Sequence, residues 1–174
     1  MGRRMHRAFA LLAMLVAGAG ALPARAAAPA VGDLAPSLVA PLFGGSSFDL
    51  AGQRGHVVLL NFWASWCKPC RAEMPELARL QRQYRERGLV VVGLSADDRH
   101  DLADARKAAQ GLDYALGMLG DATVNGFGQP LGIPLIYLVG ADGAIRAILR
   151  GNHGPLDAAA LETAVTRVLD GDVR

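Results

Sequence analysis

Residues 56–75, HVVLLNFWASWCKPCRAEMP, carry the reading that decides the fold. His56 to Trp63 is a nearly continuous apolar run rich in valine and leucine, the pattern of a central strand covered on both faces. Cys67 follows that strand and opens a helix. Met74, Leu77, Leu80, Gln81 and Tyr84 recur at helical spacing, and Arg79, Arg82, Arg85 and Arg87 fall on the other face, which reads as solvated surface. Gly88 closes the helix.

Outward from this stretch, the same logic supplies three more strands: Leu89 to Leu94, Leu135 to Val139 and Ala144 to Arg150. The last two join through Ala141-Asp142-Gly143, a hairpin-type turn. Asp101 to Gln110 and Leu156 to Leu169 read as helices, the latter with Asp157 in its first turn. Upstream, Gly44-Gly45-Ser46-Ser47 separates two short apolar stretches, which predicts a small hairpin. The order is hairpin, strand, helix, strand, helix, antiparallel strand pair, helix. An α/β fold with a mixed sheet between helices follows from it.

The chemistry starts with the only two cysteines, Cys67 and Cys70. At a helix start, unpaired N–H groups and the macrodipole favour a nearby anion. A Cys67 thiolate is stabilised there, so its pKa should lie below the free value of about 8.5. Helical geometry puts the Cα atoms of positions i and i+3 roughly 5 Å apart, inside the window a disulfide tolerates. Cys67 at the outer edge and Cys70 one turn deeper make an attacker and a resolver. Pro69 fits a first turn, where its missing N–H has no partner to lose. Trp66 offers a flat apolar surface to a partner peptide, whereas Trp63 reads as packing. From the residues alone, redox catalysis, a structural bridge and a metal site all stay open. A structural bridge closing so short a loop would stabilise little, and zinc needs about four ligands.

The stretch from Asn61 to Cys70 resembles the active-site region of thioredoxin-like proteins, and more specifically the exported TlpA/ResA/CcmG-type branch. Gly32-Asp33-x-Ala35-Pro36, Cys70-Arg71-Ala72-Glu73-Met74-Pro75, Gly132-Ile133-Pro134, and the Asp142-Gly143 turn with Gly151 match that branch in order, over about residues 32 to 170. The resemblance implies a thioredoxin-like fold with an N-terminal β-hairpin addition and a central insert around residues 96 to 130. It implies a cis-proline at Pro134 whose loop, with Ile133, binds an extended substrate beside the disulfide. It also places Glu73 as the acid that assists proton transfer, because Asn61 stands where cytosolic relatives carry a buried aspartate. Pro75, inside the helix, should kink it. Leu135 stands where threonine is usual.

Residues 1–26 read as a secretory signal: a basic start at Arg3, Arg4, His6 and Arg7, an apolar run from Ala8 to Leu22, then Ala24-Arg25-Ala26 as a cleavage site. The run is short for a membrane span, which takes about 20 residues, and this favours a cleaved signal over the alternative, a permanent N-terminal anchor. Residues 27–31 form a tether and residues 32–172 the working domain. The whole chain's formal charge is +2; removing the four arginines of the leader leaves 2 − 4 = −2. The basic balance therefore belongs to the leader, and no nucleic-acid role is read from it.

Three signals are set aside. His56, His100 and His153 have no partner at ligand spacing. Gly126 to Gly132 has the wrong spacing and context for a dinucleotide loop. Met74 and Met118 read as core. The expectation is an exported thiol–disulfide oxidoreductase of the periplasm or cell envelope that needs no cofactor or metal and works as a monomer. The resemblance implies protein disulfides of exported proteins as targets, such as apocytochrome c cysteines, and recharging by a membrane-embedded thiol reductant. The alternatives are a disulfide-forming oxidase, a Cu(I)-handling protein and a silent partner-binding domain.

Overall fold

The computed structural model describes residues 28–151 and 155–171. The leader read over residues 1–26 lies outside them, as does His153. The N-terminal part runs β1 (Leu38–Pro41), β2 (Ser47–Asp49), β3 (Val57–Trp63), α1 (Lys68–Tyr84) and β4 (Leu89–Ser95). It continues with α2 (Leu102–Ala108), β5 (Ala115–Met118), β6 (Val124–Asn125), β7 (Leu135–Val139), β8 (Ile145–Arg150) and α3 (Ala158–Leu169).

The apolar run of β3 is buried at every position and forms the centre of a five-stranded sheet ordered β5-β4-β3-β7-β8. It pairs in parallel with β4, Asn61 against Gly93, and antiparallel with β7, Asn61 against Ile136. Alternation along β3 then sorts its side chains between two cores. Leu59 and Trp63 join the cluster that holds both cysteines, and Val58, Leu60 and Phe62 join the other.

The two crossovers, β3–α1–β4 and β4–α2–β5, step along the sheet in one direction. A fixed right hand for such units puts both helices on the same face. The packing agrees: Met74 and Leu77 of α1, Ala105 of α2 and Leu161 and Val165 of α3 share the cysteine-side cluster. The opposite face is covered by the N-terminal addition, through Leu38, Ala40, Phe48 and Leu50.

The hairpin β1–β2 forms as the Gly44–Ser47 turn predicts. Within the stretch 96–130 the sequence gives one helix, and the structure adds two strands. β5 extends the main sheet beside β4, and β6 pairs with β1 to make a three-stranded second sheet. The last helix starts at Ala158 and not Leu156, because Asp157 is its N-cap and accepts from Ala160 N–H at 2.7 Å. Three of the arginines read as solvated surface are solvent-accessible and ion-paired there: Arg79 to Glu162, Arg82 to Asp113 and Arg87, just past α1, to Asp170.

Candidate active site

β3 ends at Trp63, and the turn Ala64–Trp66 delivers the chain to α1 with Cys67 as its N-cap. Cys67 and Cys70 form a disulfide with Cα atoms 5.3 Å apart, as helical spacing predicts. The Cys70 N–H points at Cys67 Sγ at 3.3 Å, so a thiolate formed there on reduction meets a donor at a helix N-terminus. Pro69 occupies the first turn. Cys67 is 5% exposed and Cys70 is fully buried. The order from surface to interior is the expected one, with a narrow margin in the oxidised pair.

Beneath the pair, α1 turns Glu73 inward onto the same stripe as Cys70 and Leu77. Glu73 is 3% exposed, which excludes the ordinary surface glutamate of a helix. Its Oε1 accepts from the Leu156 N–H at 2.5 Å, just ahead of α3. Its Oε2 is buried with no partner among the described residues. Burial pushes its pKa up to about 7, against the opposing pull of the Leu156 N–H. A carboxyl group with that value exchanges a proton readily near neutrality. Asn61 is buried on the same side of the sheet, and neither end of its amide is bonded among the described residues.

Two further residues bear on the site that the sequence did not single out. Asp97, just past the end of β4, is buried and accepts from both the N–H and the Oγ of Ser65 at 2.8 Å, and from Ser95 Oγ. That carboxylate pins the turn that presents Trp66 and Cys67. Tyr114, ahead of β5, has a buried hydroxyl without a partner among the described residues. Burial raises its pKa, and so does the Glu73 charge. Its ring and the Trp63 indole both crowd Gly93, where an added Cβ would lie 3.3 Å from Tyr114 Cε2 and 3.2 Å from Trp63 Nε1. Nothing in the spacing of Asp97 or Tyr114 along the chain flags either one, since each reaches the site only through the sheet.

The Ile133–Pro134 peptide bond is cis, the form the resemblance implies. Leu135 pairs with Phe62, so the antiparallel register brings Pro134 level with Trp63 at the end of β3. Ile133 packs against the cluster that contains both cysteines. Of the three residues expected to touch substrate, two share one cavity and the third lines another groove. Ile133 and Pro134 line a cavity of about 460 Å³ under the 127–134 loop, floored by Phe62, Phe127 and Tyr137. Trp66, 68% exposed, lines a different groove with Arg71 and Lys107. Trp63 is fully buried, a packing residue as read.

Residues 31–148 match the AhpC/TSA family. The chain is 34% identical over 118 residues to the thiol-disulfide oxidoreductase ResA of Bacillus thuringiensis, a match covering 66% of each chain. It is 32% identical over 119 residues to the thioredoxin-like protein YneN of Bacillus subtilis, covering 67% of this chain and 69% of that one. The chain thus spans about two thirds of the length of these relatives. Among solved structures, a thiol:disulfide interchange protein of the thioredoxin family from Chlorobium tepidum superposes with a TM-score of 0.63 at 27% identity. That match covers 82% of this chain and 99% of that one.

Proposed function

Because this chain belongs to the AhpC/TSA family, with a thioredoxin-like fold and a Cys-x-x-Cys pair at the start of its first helix, we propose that this thiol–disulfide oxidoreductase reduces protein disulfides. The observation that carries the reading is the seating of the pair: Cys67 caps α1 with a backbone N–H aimed at its sulfur, above the buried Glu73 carboxyl.

In the reduced protein, the Cys67 thiolate attacks one sulfur of a target disulfide. The target S–S bond breaks and its second sulfur leaves as a thiolate, giving a mixed disulfide. Cys70 then passes its proton to Glu73 and attacks Cys67 Sγ. The first target sulfur leaves, and the Cys67–Cys70 disulfide closes. Two electrons pass to the target, which takes up two protons. A target chain lies extended along the cis-Pro134 loop with Ile133, by backbone pairing of the strand-addition kind. Trp66 covers its other side.

Residues 1–26 then serve as an export signal and residues 27–31 as a tether, with the domain of residues 32–172 working in the periplasm or cell envelope. Among the described residues no helix is long and apolar enough to cross a membrane. In this reading the chain works as a monomer. The proposed targets are exported proteins with oxidised thiols, apocytochrome c among them, and a membrane-embedded thiol reductant restores the pair.

The reduction potential tests the direction. A reductase should lie nearer the thioredoxin value of about −270 mV than the oxidant value of about −120 mV. A potential at the oxidant end would make the chain a disulfide-forming oxidase.

A further inference from the structure

We propose that the groove between the Cys67 turn and α2 docks an acidic segment flanking the disulfide of a target polypeptide, a specificity that rests on the disulfide-reductase reading above. The groove has a volume of about 430 Å³ and is lined by Ser65, Trp66, Arg71, Asp104, Lys107 and Ala108. Ser65 and Trp66 are the two residues ahead of Cys67, and the Arg71 N–H donates to the Cys67 carbonyl at 3.1 Å. A chain bound there therefore runs beside the attacking sulfur. This groove is separate from the cavity of the cis-Pro134 loop, with which it shares no lining residue.

Its charge sets the occupant. Arg71 and Lys107 face one acid, Asp104, and Lys68 stands exposed on the same turn of α1. None of these four takes part in an ion pair among the described residues, unlike the arginines farther along α1. Asp97, the buried acid bonded to the lining residue Ser65, already accepts three hydrogen bonds. Even with Asp97 counted, positive groups outnumber acids by three to two. That local excess lies on a chain whose residues 27–174 carry a net −2. A positive patch on an acidic body attracts acidic segments and repels basic ones, which gives selection and a faster encounter. The exposed face of Trp66 supplies an apolar wall against which the bound backbone rests,.

The test uses three peptides with the same internal disulfide, flanked on one side by two glutamates, two glutamines or two lysines. Their reduction by the purified chain, recharged with dithiothreitol, is followed as kcat/KM. Two exposed charge pairs predict roughly a fivefold preference for the glutamate peptide over the glutamine peptide at low ionic strength. High salt should erase that preference, because the pairs are exposed. The Arg71→Glu/Lys107→Glu variant should reverse it, preferring the lysine peptide, and Asp104→Asn should strengthen it. Equal rates for all three peptides, or a preference that survives the double reversal, overturns the docking proposal while leaving the reductase reading intact. No reduction of any peptide defeats both.

Discussion

Glu73 is held between α1 and the residue ahead of α3, with one carboxylate oxygen bonded and the other without a partner among the described residues. Its pKa of about 7 against an unfolded value of 4.5 makes it a pH-dependent weight on the fold. Between those two values the folded state holds the proton and the unfolded state releases it, so stability falls as pH rises through the interval. The acid's contribution is fully present below pH 4.5 and is lost above about pH 7. Glu73→Gln keeps the acceptor for Leu156 and removes the titration. Its stability relative to the parent should therefore improve by on the order of 3 kcal/mol between pH 4.5 and pH 8. Urea denaturation at several pH values reads this directly, and parallel curves for the two proteins would return Glu73 to an inert role. In the same variant, the exchange rate near neutral pH should drop and lose its dependence on a group titrating near 7. A Glu73 this deeply buried could not be read from its spacing. The resemblance implies a role for it, but only the packing of α3 against α1 shows what removes it from water.

Above single residues, the turn from Ala64 to Trp66 depends on a carboxylate contributed by a different strand end. Asp97→Ala strands the Ser65 N–H and Oγ and the Ser95 hydroxyl away from their acceptor. Loss of hydrogen bonds to a buried charged group should lower stability by about 2–4 kcal/mol. With its anchor gone, the turn presents Cys67 less rigidly, so the exchange rate should fall as well. Stopped-flow reduction of the variant, at a temperature where it is fully folded, separates the two effects. A normal rate would show that Ser65 holds the turn without Asp97.

The strands the sequence did not supply fail for a related reason. Ala115–Met118, ALGM, contains no β-branched residue and includes a glycine, so nothing in its pattern signals a strand. It becomes one by pairing with β4, and Gly117 admits the Pro41 carbonyl, which would lie 2.5 Å from an added Cβ. β6 is two residues held by β1. By contrast β3 and β7 stand out as apolar runs and fall within a residue of where they read, and α1 carries its own helical periodicity as far as Tyr84.

On the scale of the whole molecule, the sheet has two differently covered faces, and the chemistry uses one of them. Helices and both cysteines share one core, while the N-terminal strands seal the other through Leu38, Phe48 and Leu50. Leu38→Ala should cost about 2–5 kcal/mol by leaving a cavity between the sheets. Because that cavity opens on the far side of the sheet, the reduction potential of the pair should stay where it is. A shift in potential would mean that the β addition tunes the site as well as covering the sheet.

The central claim is that Cys67 attacks and Cys70 resolves, and trapping in the presence of a disulfide-bonded target tests it most directly. Cys70→Ser leaves the attacker at the helix cap without a resolver, so a mixed disulfide with the target should accumulate through Cys67. Cys67→Ser leaves only the sulfur that is fully buried in the pair, and should trap almost none. Mass spectrometry of the non-reduced adducts identifies the linked sulfur in each case. Strong accumulation from Cys70→Ser alone is expected; equal trapping by both variants, or adducts through Cys70, would overturn the assignment of attacker and resolver.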